Sequence, residues 1–218
     1  MIGRRGMLSV ALGCTAFRET RAAAAAPVPP AGTLAFRLIR HGSEIGLQTL
    51  SLERQGDTLT VRVVVDVRVE ILSIPVASYT QRVVETWRGN TLTSLTGETD
   101  KSGQRDWVNA HQTSLGLVVQ GSKTERYIAP EPVGTTAYWN KRTLDDPLIS
   151  LEDGALLRPK LAVSRSETVQ VGNGGKITAD RYSLSGPFNI DLWYDQAETL
   201  AGVAMTVVDG STIRCERI

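Results

Sequence analysis

The chain is poor in the residues that most often carry chemistry. Its 218 residues include two cysteines, two histidines and only 6% aromatic side chains. The cysteines are Cys14 and Cys215, and the histidines are His41 and His111. No cluster among them has metal-ligand spacing, so neither a metal nor a cofactor is expected. His111 alternates with Asn109 and reads as decoration of a polar face. No G-x-S-x-G elbow, P-loop or H-E-x-x-H stretch occurs, so no catalytic residue can be assigned and a non-enzymatic protein is expected. No apolar run reaches the ~18 residues of a membrane-spanning helix.

The amino terminus reads as a targeting segment. Arg4 and Arg5 precede the apolar stretch Met7–Phe17, and Ala22–Ala26 offers A-x-A cleavage sites ahead of Pro27. Residues 1–26 therefore read as a secretory signal peptide, which places the mature protein in a periplasm or outside the cell. The paired arginines resemble a twin-arginine signal. Leu12-Gly13-Cys14 falls short of a lipoprotein box, because the leucine sits one position too close to the cysteine. Residues 1–26 hold four arginines and one glutamate; their removal leaves 20 basic and 22 acidic residues, a net charge near −2. That balance excludes a polyanion binder such as a nucleic-acid protein. Cys215 would then be the one remaining cysteine, unable to form an internal disulfide and expected to be buried in a strand.

What the chain does have is alternation. From Leu59 to Ile71 one parity reads Leu59, Val61, Val63, Val65, Val67, Val69, Ile71. The other carries Thr60, Arg62, Asp66, Arg68 and Glu70. This is the pattern of a long half-buried strand, about 40 Å at the usual rise. Ile74-Pro75-Val76 reads as an interruption of the sheet. Further strands are expected at Leu34–Arg40, Leu47–Arg54, Tyr79–Trp87, Leu92–Thr99, Gln104–Gln112, Ser114–Gln120 and Thr124–Ile128. They resume at Leu161–Val171, Lys176–Ser185, Phe188–Tyr194, Ala201–Val208 and Thr212–Arg217. Turn signals recur between them, with Asp209-Gly210 the strongest. Gly172–Gly175 lacks the strand-to-helix context of a phosphate cradle and reads as a hairpin turn. The predicted fold is all-β: one antiparallel meander of 10–12 strands, curled into a half-barrel or barrel. Residues 27–33 form a flexible lead-in and 34–218 the single domain.

One region breaks the rhythm. Between Ala129 and Pro159, Pro130 and Pro132 oppose pairing, and Asp146-Pro147 reads as an N-cap followed by the first helical residue. The sequence thus predicts a two-turn helix at Pro147–Asp153, within an insert spanning about 143–154. Asp145, Asp146, Glu152 and Asp153 crowd this insert. Two of them facing each other across a cleft could do acid–base work; the competing reading is a cap and solvated charges. The dipeptides Tyr138-Trp139 and Trp193-Tyr194 should point neighbouring rings to opposite faces.

Several motifs, taken in order, resemble an uncharacterised family of exported proteobacterial proteins. They are Trp87-x-Gly89-x-x-Leu92-x-x-Leu95 with Thr99 and Gly103, then Tyr138-Trp139-Asn140 and Leu151-x-x-Gly154. Arg181-Tyr182-x-Leu184-x-Gly186 and Asp191-Leu192-Trp193-Tyr194 follow. The resemblance implies no activity and no catalytic residues. At the level of architecture the chain is also similar to the half-open barrels of periplasmic lipoprotein and lipid carriers. A concave apolar groove in such a sheet would suit a lipid or other hydrophobic small molecule. Val63, Val65, Val67, Tyr138, Trp139 and Leu148 are the candidate lining. The alternative is a structural or partner-interaction protein whose interior is filled by its own side chains.

Overall fold

The computed structural model describes residues 32–71, 74–207 and 209–218. The signal peptide read at 1–26, and most of the lead-in, lie outside the described residues. Gly32 and Thr33, read as lead-in, already pair with Leu52 and Ser51 in the first strand.

Eight strands come first: β1 (Gly32–Arg40), β2 (Ser43–Gln55), β3 (Thr58–Ile71), β4 (Ile74–Arg88), β5 (Thr91–Lys101), β6 (Gln104–Thr113), β7 (Gly116–Gly121) and β8 (Thr124–Ile128). An insert follows with three two-residue strands, β9 (Gly134–Thr135), β10 (Leu148–Ile149) and β11 (Leu156–Leu157). The chain closes with β12 (Lys160–Val171), β13 (Gly175–Ser185), β14 (Ile190–Tyr194), β15 (Leu200–Thr206) and β16 (Thr212–Arg217). Thirteen of these strands form one sheet in the order β12-β13-β14-β15-β16-β1-β2-β3-β4-β5-β6-β7-β8, and β11-β10-β9 form a small second one. The all-β meander is as read from the sequence, with longer strands.

The arrangement has one long-range join. β1 pairs with β16, with Leu38 opposite Cys215. The amino- and carboxy-terminal halves are thereby zipped together, and the free edges fall mid-chain, on β8 and β12. The sheet does not close between them; the insert occupies that break in the sequence. A sheet this wide must curl, and register shifts at Leu38/Ile39, Val69/Glu70 and Thr86/Trp87 supply local bends. Pro75, read as an interruption, lies instead at the second position of β4 opposite Glu70, just past one of these shifts. Near a strand end and a bulge its missing donor costs little.

Burial follows the alternation. Along β3, Leu59, Val61, Val63, Val65 and Val67 are buried while Arg62, Asp66 and Arg68 are exposed. Adjacent strands continue each inward position. One row runs Leu52, Val61, Glu85, Leu95, Ala110, Val119 from β2 to β7. The next runs Leu50, Val63, Val83, Gly97, Val108, Gly121. Cys215 is buried, as expected, and its apolar surroundings push its pKa up to about 12, so the thiol is inert.

The two-turn helix predicted at Pro147–Asp153 does not form. The insert instead has a 3-10 turn earlier, at Lys141–Thr143, and its cap is Asn140, whose side chain accepts from the Arg142 N–H at 3.2 Å. Asp146 caps nothing of the kind. Leu148 and Ile149 are both fully buried, so both faces of the segment meet protein. Their backbone pairs with β9 on one side and β11 on the other. A short stretch flanked by two partners gains more hydrogen bonds as a strand than as an isolated two-turn helix.

Candidate functional site

The inner face of the sheet is occupied by the insert, and the contacts between them form the most chemically specific part of the molecule. At the centre sits Glu85 on β4, fully buried on a row that is otherwise aliphatic. Its Oε2 accepts from the indole N–H groups of Trp87 and Trp139, each at 2.8 Å. Its Oε1 accepts from the Thr135 hydroxyl at 2.6 Å. Trp87 belongs to the sheet, whereas Thr135 and Trp139 belong to the insert. The two indoles meet edge to face, with ring centroids 5.3 Å apart and planes at 87°. Burial pushes the Glu85 pKa up, and the bonds from Thr135, Trp139 and Trp87 pull against that rise.

Two glycines let the insert backbone lie directly on the sheet. A Cβ at Gly97 would stand 3.0 Å from the Leu151 carbonyl oxygen, and one at Gly121 only 1.7 Å from that of Asp153. The Tyr127 hydroxyl donates to the Gly154 carbonyl at 2.8 Å. On the opposite wall the Tyr194 hydroxyl donates to the Tyr138 carbonyl at 2.6 Å, and Lys141 pairs with Glu198 at 2.8 Å. The insert is thus fastened to both halves of the sheet.

A second polar group lies at one margin. Asp106, nearly inaccessible, accepts from Lys123, Lys101 and the Ser122 hydroxyl at 2.9, 3.0 and 2.9 Å. Lys101 also holds Glu152 of the insert at 2.5 Å. The Lys123 hydrogen bond, helped by those of Lys101 and Ser122, holds the Asp106 pKa down at about 2. Hydrogen bonds to Glu152 and Asp106 outweigh desolvation and raise that of Lys101.

The candidate lining residues are therefore brought together, in one core. Val63, Val65, Val67, Trp139 and Leu148 are all buried in the same cluster, and Tyr138 packs against it. Trp139 is held by Glu85, and Leu148 is completely covered. A cavity of about 290 Å³ does exist, but at one end of the sheet, beside Leu92, Leu115, Leu117, Ile128, Ala129 and Val133. None of the six candidates lines it. The insert carboxylates do not face one another across a cleft: Asp145 is exposed and Glu152 is tied to Lys101. Among the described residues no group of three or more His, Cys, Asp and Glu side chains could hold a metal ion.

Glu85 was legible in principle, because it shares the parity of Val83 and Trp87; a carboxylate on an inward parity demands buried partners.

A family model, the DUF6134 domain of unknown function, matches residues 36–218. The chain belongs to this DUF6134 family. The match covers nearly all of the described sheet and insert, so Glu85, Trp87, Trp139 and the zipped β1–β16 pair all lie within the DUF6134 domain. No curated protein matches the chain. Among solved structures it is similar to a beta-barrel-like protein of the DUF1849 domain of unknown function from Brucella abortus. The two share 10% identity over 85% of this chain and 94% of that one, with a TM-score of 0.60. At that identity the likeness speaks for the fold alone.

Proposed function

We propose that this DUF6134 protein is an exported, non-enzymatic structural or partner-interaction module whose interior is filled by its own chain. The observation that carries this reading is the clasp at Glu85. Trp139 and Leu148 lie buried in the same core cluster as Val63, Val65 and Val67, so this part of the concave face is covered by the chain itself. Two hydrogen bonds to the Glu85 carboxyl group, from Thr135 and Trp139, and the Trp87–Trp139 pair hold the insert there, and such a network is costly to open. A lipid in the concave sheet would have to displace it. The end cavity of about 290 Å³ falls at the lower limit of ordinary ligand pockets, roughly 300–1,000 Å³.

Export is supported by the composition of residues 1–26. The non-enzymatic reading is supported by the carboxylates: both Glu85 oxygens are engaged, and Glu152 is paired. The test is to express the full chain in a Gram-negative host, isolate the envelope and soluble fractions, and offer the purified protein an environment-sensitive fatty-acid probe. The expected result is a processed chain outside the cytoplasm and no saturable probe uptake. A cytoplasmic, unprocessed chain would overturn the export reading. Saturable uptake abolished by a bulky substitution at Val65 or Leu148 would overturn the filled interior in favour of a lipid carrier.

A further inference from the structure

The outer face of β4–β8 carries a feature that the packing of the interior does not account for. Alternation along β6 sends Asp106, Val108 and Ala110 inward and Trp107, Asn109 and His111 outward. Trp107 is 42% exposed. Its cross-strand neighbour on β5 is Glu98, and Asn109 stands beside Gln120 on β7. The ring divides two shallow depressions of about 490 and 450 Å³. One runs past Arg82, Glu98 and Arg105; the other past Asn109, His111, Gln120 and Arg126.

The polar groups around the ring differ in an instructive way. Arg82 is fixed, donating to both oxygens of Asp66 and to two backbone carbonyls. The side chains of Asn109, His111, Gln120 and Arg126, and the Trp107 indole N–H, bond to no other described residue. A rigid sheet therefore presents a flat electron-rich ring encircled by planar amide, imidazole and guanidinium groups with unused donors and acceptors.

We propose that this face binds a neutral oligosaccharide chain across Trp107. A pyranose ring with equatorial hydroxyls offers an apolar C–H face that stacks on an indole. Its rim of hydroxyls then meets the side chains that surround Trp107. The sheet holds the ring in place, so little ordering entropy opposes binding. Depressions on both sides of Trp107 accommodate a ligand that continues past the stacked ring, as a chain does. Two other partners fit less well. A protein docking patch concentrates apolar side chains around its aromatic anchor, whereas the register neighbour of Trp107 is a carboxylate. A nucleic acid needs a uniformly basic track, which Glu98 and Asp100 interrupt. The proposal rests on the reading that the protein works through its surface, and identifies what that surface meets.

The test is isothermal titration calorimetry of the full chain with chitotetraose and with cellotetraose. The expected result is a saturable heat of binding for at least one of the two sugars. Trp107→Ala should weaken binding at least about tenfold, Trp107→Phe less, and the Asn109→Ala/Gln120→Ala double substitution several-fold. Circular dichroism should show all of these variants folded, since every altered side chain is exposed. No binding of either sugar at tens of millimolar, or binding that survives Trp107→Ala, would overturn the proposal. A photoreactive residue at 107 that cross-links to a protein instead would overturn it while leaving the surface-acting reading in place.

Discussion

Replacing Glu85 separates its two contributions, a buried charge and three satisfied donors. Leucine at 85 removes the acceptor for Trp87, Trp139 and Thr135 at once. A buried donor left without a partner costs about 1–3 kcal/mol. Three of them, less the apolar gain of the leucine, bring the expected loss to roughly 3–6 kcal/mol. That is a large share of the 5–15 kcal/mol typical of a domain, and should lower the Tm by roughly 10–20 °C for a chain of this size. Glutamine at 85 behaves differently. Its oxygen can accept from both indoles and its amide can donate to the Thr135 oxygen, so only the Thr135 hydroxyl proton loses its acceptor. Because the charge disappears as well, Glu85→Gln should lie within about 1 kcal/mol of the parent. The pH dependence follows from the raised pKa of Glu85. The folded form holds this proton more tightly, so its contribution is fully present below the unfolded value and is lost as pH rises through the folded one. Glu85→Gln should abolish that loss. The assay is urea denaturation of the three proteins from pH 4 to 8, followed by near-ultraviolet circular dichroism of the Trp87–Trp139 pair. A leucine variant destabilised by less than about 1 kcal/mol, or a glutamine variant worse than the leucine one, would refute the reasoning.

Val65→Asp would bury an unpaired charge on the inward row of β3 and should leave the protein insoluble or unfolded, as sedimentation and circular dichroism will show. A soluble, folded variant would mean that the inward face has been misassigned. Gly121→Ala drives a Cβ into the Asp153 carbonyl, 1.7 Å away. It should cost about 1–3 kcal/mol and speed amide exchange in residues 150–155 with little change in β1–β3, by hydrogen-exchange mass spectrometry. Asp106, with a pKa lowered to about 2, contributes stability that is present above the ordinary aspartate value and lost as pH falls through the folded one. Asp106→Asn should therefore flatten the acid limb of the stability–pH curve, and an unchanged limb would remove Asp106 from the account.

The parts of this fold visible in the sequence are those governed by local rules. The inward parity of Leu59–Ile71 and the turn at Asp209-Gly210 depend on alternation and turn chemistry within a dozen residues. The β1–β16 pairing is not of that kind, because both strands carry an ordinary alternating pattern that names no partner. The insert departs from the helix predicted at Pro147–Asp153 for a related reason. Asp146-Pro147 is a sound helix-start signal, but Leu148 and Ile149 are buried on both faces, and tertiary pairing with β9 and β11 overrides the local preference. The aromatic residues show the same division. Alternation predicts one ring in and one out for Tyr138-Trp139, yet Trp139 is buried and Tyr138 packs on the core as well. At Tyr138 the backbone has a φ of 56°, which breaks the strand alternation the reading assumed. That a Pro-containing connection lies against the inner face of the sheet is not legible locally, because no residue of the connection names the strands it meets.

The claim that the insert fills the sheet interior is tested most directly by native mass spectrometry of the full chain expressed in a Gram-negative host and purified without detergent. The account predicts one mass under native conditions, equal to that of the mature polypeptide seen after denaturation. A reproducible additional mass in the range of a lipid, lost on denaturation and absent from the Val65→Phe variant, would contradict it.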